Sequence, residues 1–199
     1  IAERCNAMFD DHEDGAFMPQ FDCPEGWDET SPFLQKVEEG LERRYNGKPS
    51  LEVLRQADYE CGVICQMQFC GYFLVVADYI NWAKAHGVMV GPGRGSAAGA
   101  MVAYAMGITE LDPLEHGLIF ERFLNPERVS LPDIDVDFDP DGRGRVLDYV
   151  GEKYGRDKVA QCVIYGTIKT KQALKDSARI MGYDFSVGDK ITKALPPAQ

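Results

Sequence analysis

The stretch Pro132-Asp-Ile-Asp-Val-Asp-Phe138 alternates carboxylate and apolar side chains without a break. An extended chain sends successive side chains to opposite faces. Asp133, Asp135 and Asp137 therefore share one face, and Ile134, Val136 and Phe138 share the other. The pattern predicts a strand over 129–138 with its apolar side on a core. Aspartate is a poor strand former. Three of them at successive outward positions conflict with local propensity, and such conflicts gather at functional sites. Like charges two strand rises apart, about 7 Å, repel unless cations lie among them. Hard carboxylate oxygens in a row suit Mg²⁺ or Mn²⁺, which complete their shells with water and substrate phosphates. Two such ions can activate a hydroxyl and stabilise a leaving pyrophosphate. The plain alternative is an edge strand with polar residues outward. A rival register, Asp137-Phe-Asp139-Pro-Asp141-Gly142 with Asp148 at the twelfth place, is similar to a calcium-binding loop. Against it stand Arg145 at the ninth place, a preceding strand pattern, and Asp where a bidentate Glu is expected.

Upstream lies Gly91-Pro-Gly-Arg-Gly-Ser96, between the short apolar run Val88–Val90 and the small-residue run Ser96–Met106. Glycines let a backbone approach a phosphate closely. Free N–H groups at a helix start attract anions, and Arg94 can clamp an oxygen. The pattern is neither a P-loop nor a dinucleotide fingerprint. A tight strand-to-helix turn accounts for the glycines as well. Downstream, Lys171, Lys175 and Arg179 recur every four residues after Lys169, forming one helix stripe. Such a stripe can contact a phosphodiester backbone without reading sequence, or it can be a solvated face.

Periodicity and punctuation fill in the remainder. Ser31-Pro32 opens a helix that Asn46-Gly47 ends. Helices follow over 51–65, 72–86, 96–106, 112–124, 142–154 and 168–181, with a last one capped by Ser186 and ended by Pro196. Strands are expected at 88–90, 129–138 and 158–165. Helices with a few short strands predict an α+β or mixed α/β class. The acidic, turn-rich residues 1–30 read as linker.

At 45% hydrophobic and 27% charged, the chain can bury a core. No apolar run reaches the roughly 18 residues of a membrane helix. The net charge of −11 argues against a simple nucleic-acid binder. The excess acid lies before residue 140, and the remainder is mildly basic. Six cysteines without a secretory signal point to reduced cytosolic thiols. Cys61, Cys65 and Cys70 have poor zinc-ligand spacing and read as buried helix thiols. The start at Ile1 and the stop at Gln199 read as the ends of a segment of a longer chain.

Taken together, these motifs resemble those of C-family DNA polymerases, the catalytic α subunits of bacterial replicative DNA polymerase III. The resemblance lies in Gly71-Tyr-Phe-Leu74, Val90–Gly99, Phe120-Glu-Arg-Phe-Leu-Asn-Pro-Glu-Arg128, Pro132–Phe138, Tyr154-Gly-Arg-Asp157 and Tyr165-Gly-Thr167. It implies an α+β fold: a mixed sheet with flanking helices, similar to the polymerase β-type nucleotidyltransferase palm, plus a short helical C-terminal segment. It implies a linker at 1–30 after an absent N-terminal phosphoesterase-like domain, a palm at 31–162, and an incomplete thumb from 163 to 199. Asp133 and Asp135 would be catalytic metal ligands, with two Mg²⁺ in the parent and Mn²⁺ as a substitute. Asp137 belongs to the motif without being assigned as a ligand. Arg94, Gly95 and Ser96 would bind the nucleotide phosphates. Lys169, Lys171, Lys175 and Arg179 would touch duplex backbone. The implied partners are primer-template DNA, dNTP and other replicase subunits in the cytoplasm, with no membrane. The family's third catalytic aspartate has no counterpart here, so the chain alone is expected to be inactive. The alternatives are a calcium-binding or structural module at Asp137–Asp148, and a nucleotidyltransferase for small substrates.

Overall fold

A computed structural model of the chain describes residues 21, 23, 28–127, 132–162 and 164–196. Seven α-helices occur among them: α1 (Thr30–Arg44), α2 (Leu51–Gln66), α3 (Cys70–Ala85), α4 (Met101–Ala105), α5 (Arg143–Tyr154), α6 (Thr170–Ile180) and α7 (Phe185–Ala194). Short 3₁₀ turns lie at Ser96–Gly99, Phe120–Arg122 and Arg156–Lys158. The chain divides into two compact units between Val159 and Ala160.

In the first unit, α1, α2 and α3 surround α4. The buried set includes Phe33, Ile64, Phe73, Leu74, Ile80, Met101, Val102, Phe120 and Leu124. Phe33 and Phe123 both meet Phe73 edge-on at 6.0 Å. Helix α1 lies so close to α4 that a Cβ on Gly40 would sit 2.1 Å from the Ala105 carbonyl oxygen. Helix α5 docks on α3 through Asp78, whose carboxylate accepts from Tyr149 (2.8 Å), Lys153 (2.7 Å) and Tyr154 (2.9 Å). Trp82 stacks between His86 and Tyr149, at 4.2 and 4.3 Å. Cys61 and Cys70 are buried in the core, and burial pushes both thiols up to about 12. They pack as small apolar groups. No single helix among the described residues is long and apolar enough to cross a membrane.

The expected mixed sheet is absent from the described residues, so the α+β class is corrected to a helical one. Only one antiparallel bridge joins Val90 to Phe138. Gly91 N–H donates to the Asp137 carbonyl at 2.8 Å, and Asp139 N–H to the Met89 carbonyl at 3.1 Å. The ladder stops there because Pro92 lacks a donor and the Asp139 carboxylate takes the Met89 N–H at 3.0 Å. The alternation at 132–138 is still satisfied. Ile134, Val136 and Phe138 pack on the helical core, and the three aspartates are exposed. Period-two patterning reports half-burial of an extended segment, and a helix surface can supply that burial as well as a sheet. Residues 129–131 lie outside the described set, as do most of the residues read as linker. The run 158–165, expected as a strand, forms a 3₁₀ turn and then irregular chain.

Two helices also differ from expectation. The run 112–124 is turns followed by a 3₁₀ segment. There the Asp112 carboxylate captures the Leu114 N–H at 2.9 Å and the Glu115 N–H at 3.3 Å, competing with helical pairing. The run 96–106 breaks at Ala100, which is extended at φ −98°, ψ 121°. At the last helix the cap is Asp184 rather than Ser186, whose N–H it accepts at 2.8 Å.

Gly40→Ala is expected to force α1 and α4 apart, because both the contact atom and its neighbours are backbone. The loss should be about 1–3 kcal/mol or more, read as a lower urea midpoint with an unchanged slope.

Candidate functional site

The bridge between Val90 and Phe138 lays the glycine loop directly beside the aspartate segment. Val88 is buried against Ala83 and Val146, anchoring one side, and Tyr79 meets Phe138 at 6.3 Å on the other. Tyr72 of α3 anchors the middle. Burial raises its hydroxyl most, a backbone hydrogen bond at Ile134 draws it back, and the neighbouring Asp133 carboxylate raises it further. With Ile134 held on the core, Asp133 and Asp135 face solvent.

Arg94 crosses from the loop to this face. Its Nη2 lies 3.2 Å from Asp135 Oδ1, and its Nε lies 3.4 Å from Asp137 Oδ1. Gly95 follows at φ 68°, ψ −157°, and a Cβ there would lie 3.3 Å from Asp135 Oδ2. A side chain at 95 would thus be strained in backbone and crowded against the carboxylate. Ser96 is exposed and lines a cavity of about 420 Å³ with Gly95, Gly99, Gly117, Leu118, Ile119 and Arg122. Arg94, Gly95 and Ser96 are therefore continuous with the Asp135 face on one side and with Arg122 on the other. Arg122 was not singled out from the sequence. The signal lay in Phe120-Glu-Arg-Phe123, where buried Phe120 and half-buried Phe123 leave Arg122 on the outer side.

The helix-start argument for anion binding needs correction. Ser96–Gly99 is one 3₁₀ turn and α4 is five residues long, so neither carries a sizeable dipole. Positive character comes instead from the two arginines and the glycine-loop amides.

The Arg94 guanidinium pairs with two carboxylates of the aspartate face, Asp135 and Asp137. Among the described residues, no three of His, Cys, Asp and Glu converge into a ligand set. The donor set fits a hard cation that takes one or two carboxylates and completes its shell with water and phosphate oxygens. The calcium-loop register fits less well. Asp139 already accepts from Gly142 N–H at 2.6 Å and from Met89 N–H, and Asp148 faces Arg156 at 3.8 Å.

In the second unit, Lys175 pairs with Asp189 at 2.7 Å and lies 5.6 Å over the Phe185 ring. Arg179 pairs with Asp176 at 3.3 Å. Lys169 and Lys171 are exposed and make no ion pair among the described residues. Of these four cations, Lys175 thus ties α6 to α7, Arg179 pairs within α6, and Lys169 and Lys171 are open.

An exposed acidic face thus lies beside a glycine loop, with Arg94 paired to the aspartates and Arg122 lining the neighbouring cavity. The chain belongs to the family described as Bacterial DNA polymerase III alpha NTPase domain, which it matches over residues 31–199. It is 54% identical over 200 residues to the DNA polymerase III subunit alpha of Mycobacterium tuberculosis (strain H37Rv), covering 100% of this chain and 17% of that protein. To the subunit alpha of Aquifex aeolicus it is 46% identical, covering 98% and 17%. To that of Neisseria meningitidis serogroup B it is 45% identical, covering 98% and 18%. The chain spans about a sixth of the length of these curated relatives.

Arg94→Gln should change stability by less than about 0.5 kcal/mol, since both of its ion pairs are exposed. Tyr72→Phe should cost about 1 kcal/mol by releasing Ile134. Urea denaturation of the two variants side by side measures the contrast.

Proposed function

We propose that this chain carries the metal-binding and nucleotide-binding part of a template-directed DNA polymerase that transfers a nucleotide from dNTP to a primer 3′-hydroxyl. The observation that carries the reading is the contact of Arg94 and Gly95 with Asp135, which joins the glycine loop to the carboxylate face. Family membership supports the same reading.

Asp133 and Asp135 would hold Mg²⁺ or Mn²⁺. A metal bound there would supply Lewis-acid chemistry, lowering the pKa of the attacking hydroxyl and stabilising the departing pyrophosphate. The remaining tasks belong to the chain. Gly95 lets the backbone approach the phosphates, and Ser96 offers a hydroxyl and an amide. Arg122 lines the cavity, Arg94 lies next to it in the chain, and both would neutralise phosphate oxygens by charge-assisted hydrogen bonds. When Arg94 turns to a phosphate, it frees Asp135 for metal. Asp137 keeps a supporting role as a partner of Arg94. Residues 31–162 would form this catalytic part. Residues 163–199 would begin a part that contacts duplex backbone through Lys169 and Lys171, with Lys175 mainly holding the two helices together and Arg179 paired within α6. In the cell such an assembly would act with primer-template DNA and the other replicase subunits. Two carboxylates make an incomplete set for two ions, so the chain by itself is proposed to lack primer extension.

In the full-length polymerase, Asp135→Asn should lower kcat at least about 100-fold, more than the loss of an outer-shell partner. Arg122→Ala should raise KM for dNTP about tenfold or more with a smaller change in kcat, as expected for a lost charged hydrogen bond. Steady-state single-nucleotide incorporation reads both. An unchanged kcat in Asp135→Asn, or primer extension by the 199-residue chain alone, would refute the respective assignment.

A further inference from the structure

Glu60 lies in the middle of α2, in a sequence with no motif, and it is completely buried. Its carboxylate makes three hydrogen bonds. Oε1 accepts from Met101 N–H at 3.0 Å and from the Gln56 side-chain amide at 2.9 Å, and Oε2 accepts from Val102 N–H at 2.9 Å. In a continuous helix over 96–106, those two backbone donors would pair with the carbonyls of Ala97 and Ala98. Glu60 takes them instead. The chain is then free to break at Ala100, and Ser96–Gly99 stands apart as its own turn over the cavity that holds Arg122.

We infer that Glu60 is a positioning residue for nucleotide binding, its carboxylate fixing the break at Ala100 and so the placement of Ser96. This rests on the reading of the Ser96 cavity as the nucleotide-phosphate site. Burying an acid in a core is costly unless its hydrogen bonds are complete. Here they are complete only for the ionised group, because a protonated oxygen loses acceptor capacity toward the N–H it faces.

The charged and titratable groups around Glu60 are few. The Phe120–Arg122 turn contributes Glu121, whose charge raises Glu60 and which also bonds Tyr59. On α2 itself lie Cys61, a buried thiol, and the neutral Gln56. The cations Arg43 and Arg44 of α1 and Lys84 of α3 bind near the opposite end of α4. Burial is the largest influence and raises the carboxyl, the bonds from Gln56, Val102 and Met101 lower it, and it settles at about 7. The folded value is raised above the ordinary one. Its contribution to global stability is therefore present in acid and lost as pH rises toward 7. An opening that frees the Met101 and Val102 amides also exposes Glu60, so the same rise in pH favours that opening.

Two measurements test this. Amide exchange of Met101 and Val102 in the full 199-residue chain, corrected for intrinsic rates, should lose protection as pH rises toward about 7 and level off above it. Glu60→Gln should abolish that step. Gln56→Ala removes one donor to the ionised form and should move the midpoint upward, a readout that survives if Glu60→Gln folds poorly. In the full-length polymerase, Glu60→Gln should raise KM for dNTP about tenfold with kcat within about twofold. The KM difference from wild type should shrink below pH 7. A pH step that persists in Glu60→Gln, an unmoved midpoint in Gln56→Ala, or a loss confined to kcat overturns the inference. If instead Arg122→Ala and Ser96→Ala leave KM unchanged while the exchange step behaves as stated, the phosphate-site reading is what fails.

Discussion

A five-residue helix at the centre of a core leaves almost all of its backbone polar groups unpaired by the helix itself. Four N–H groups at one end and four carbonyls at the other need partners. Four of the five residues of α4 are buried, so water has little access to them. The turn that follows pairs the Val102 and Ala103 carbonyls, and side chains of α1, α2 and α3 pair others. Glu60 of α2 takes the donors at the N-terminal end. At the C-terminal end, Arg43 donates to the Ala105 carbonyl at 2.9 Å, Arg44 to Tyr104 and Thr109 at 3.0 and 2.8 Å, and Lys84 to Gly107 at 2.6 Å. Arg44 and Lys84 are then both neutralised by Glu110. Each such bond to a charged group contributes about 1.5–3 kcal/mol, and the core could not close around α4 without them.

That central satisfaction sets the position of the chain on both sides. Before α4, the Ser96 turn is held at a fixed distance from Glu60. After α4, residues 107–110 are tied to α1 and α3, and Glu110 N–H donates to the Pro92 carbonyl at 2.8 Å. The glycine loop is thus bracketed by two points that both trace to α4. The aspartate segment is set by a separate tie, through Tyr72 and the Val90–Phe138 bridge, to α3. The two halves of the site meet because α3 carries both Tyr72 and the residues that lead into Val88–Val90.

Much of this was legible in the chain. The bounds of α1, α2, α3, α5 and α6 follow from apolar periodicity and punctuation by Pro, Asn and Gly. The outward placement of Asp133, Asp135 and Asp137 follows from alternation, and the loop character of 91–95 from its glycines. The sheet was misread because alternation fixes which side chains are buried but not what buries them. Helix 96–106 was misread because its small residues favour a helix locally, while Glu60, some 40 positions earlier, takes the donors. A single Glu inside an amphipathic helix reads as one more polar position. Nothing in its neighbourhood marks it as the partner of a distant backbone. Arg122 was missed for a similar reason: the cavity it lines is closed by Gly95 and Gly99, which are remote in sequence.

The electrostatics of the acidic face follow from its geometry. Three exposed carboxylates on one extended segment meet a single guanidinium, which reaches Asp135 and Asp137 but makes no ion pair with Asp133. The face therefore keeps net negative charge with Arg94 in place. The ion pairs of Arg94, at 3.2 and 3.4 Å, lie at the surface and hold it loosely, so it can leave the carboxylates at little cost. The α4 core and this arginine stand at opposite extremes: bonds to charged groups shielded from water fix the first, and exposed ion pairs leave the second free to move.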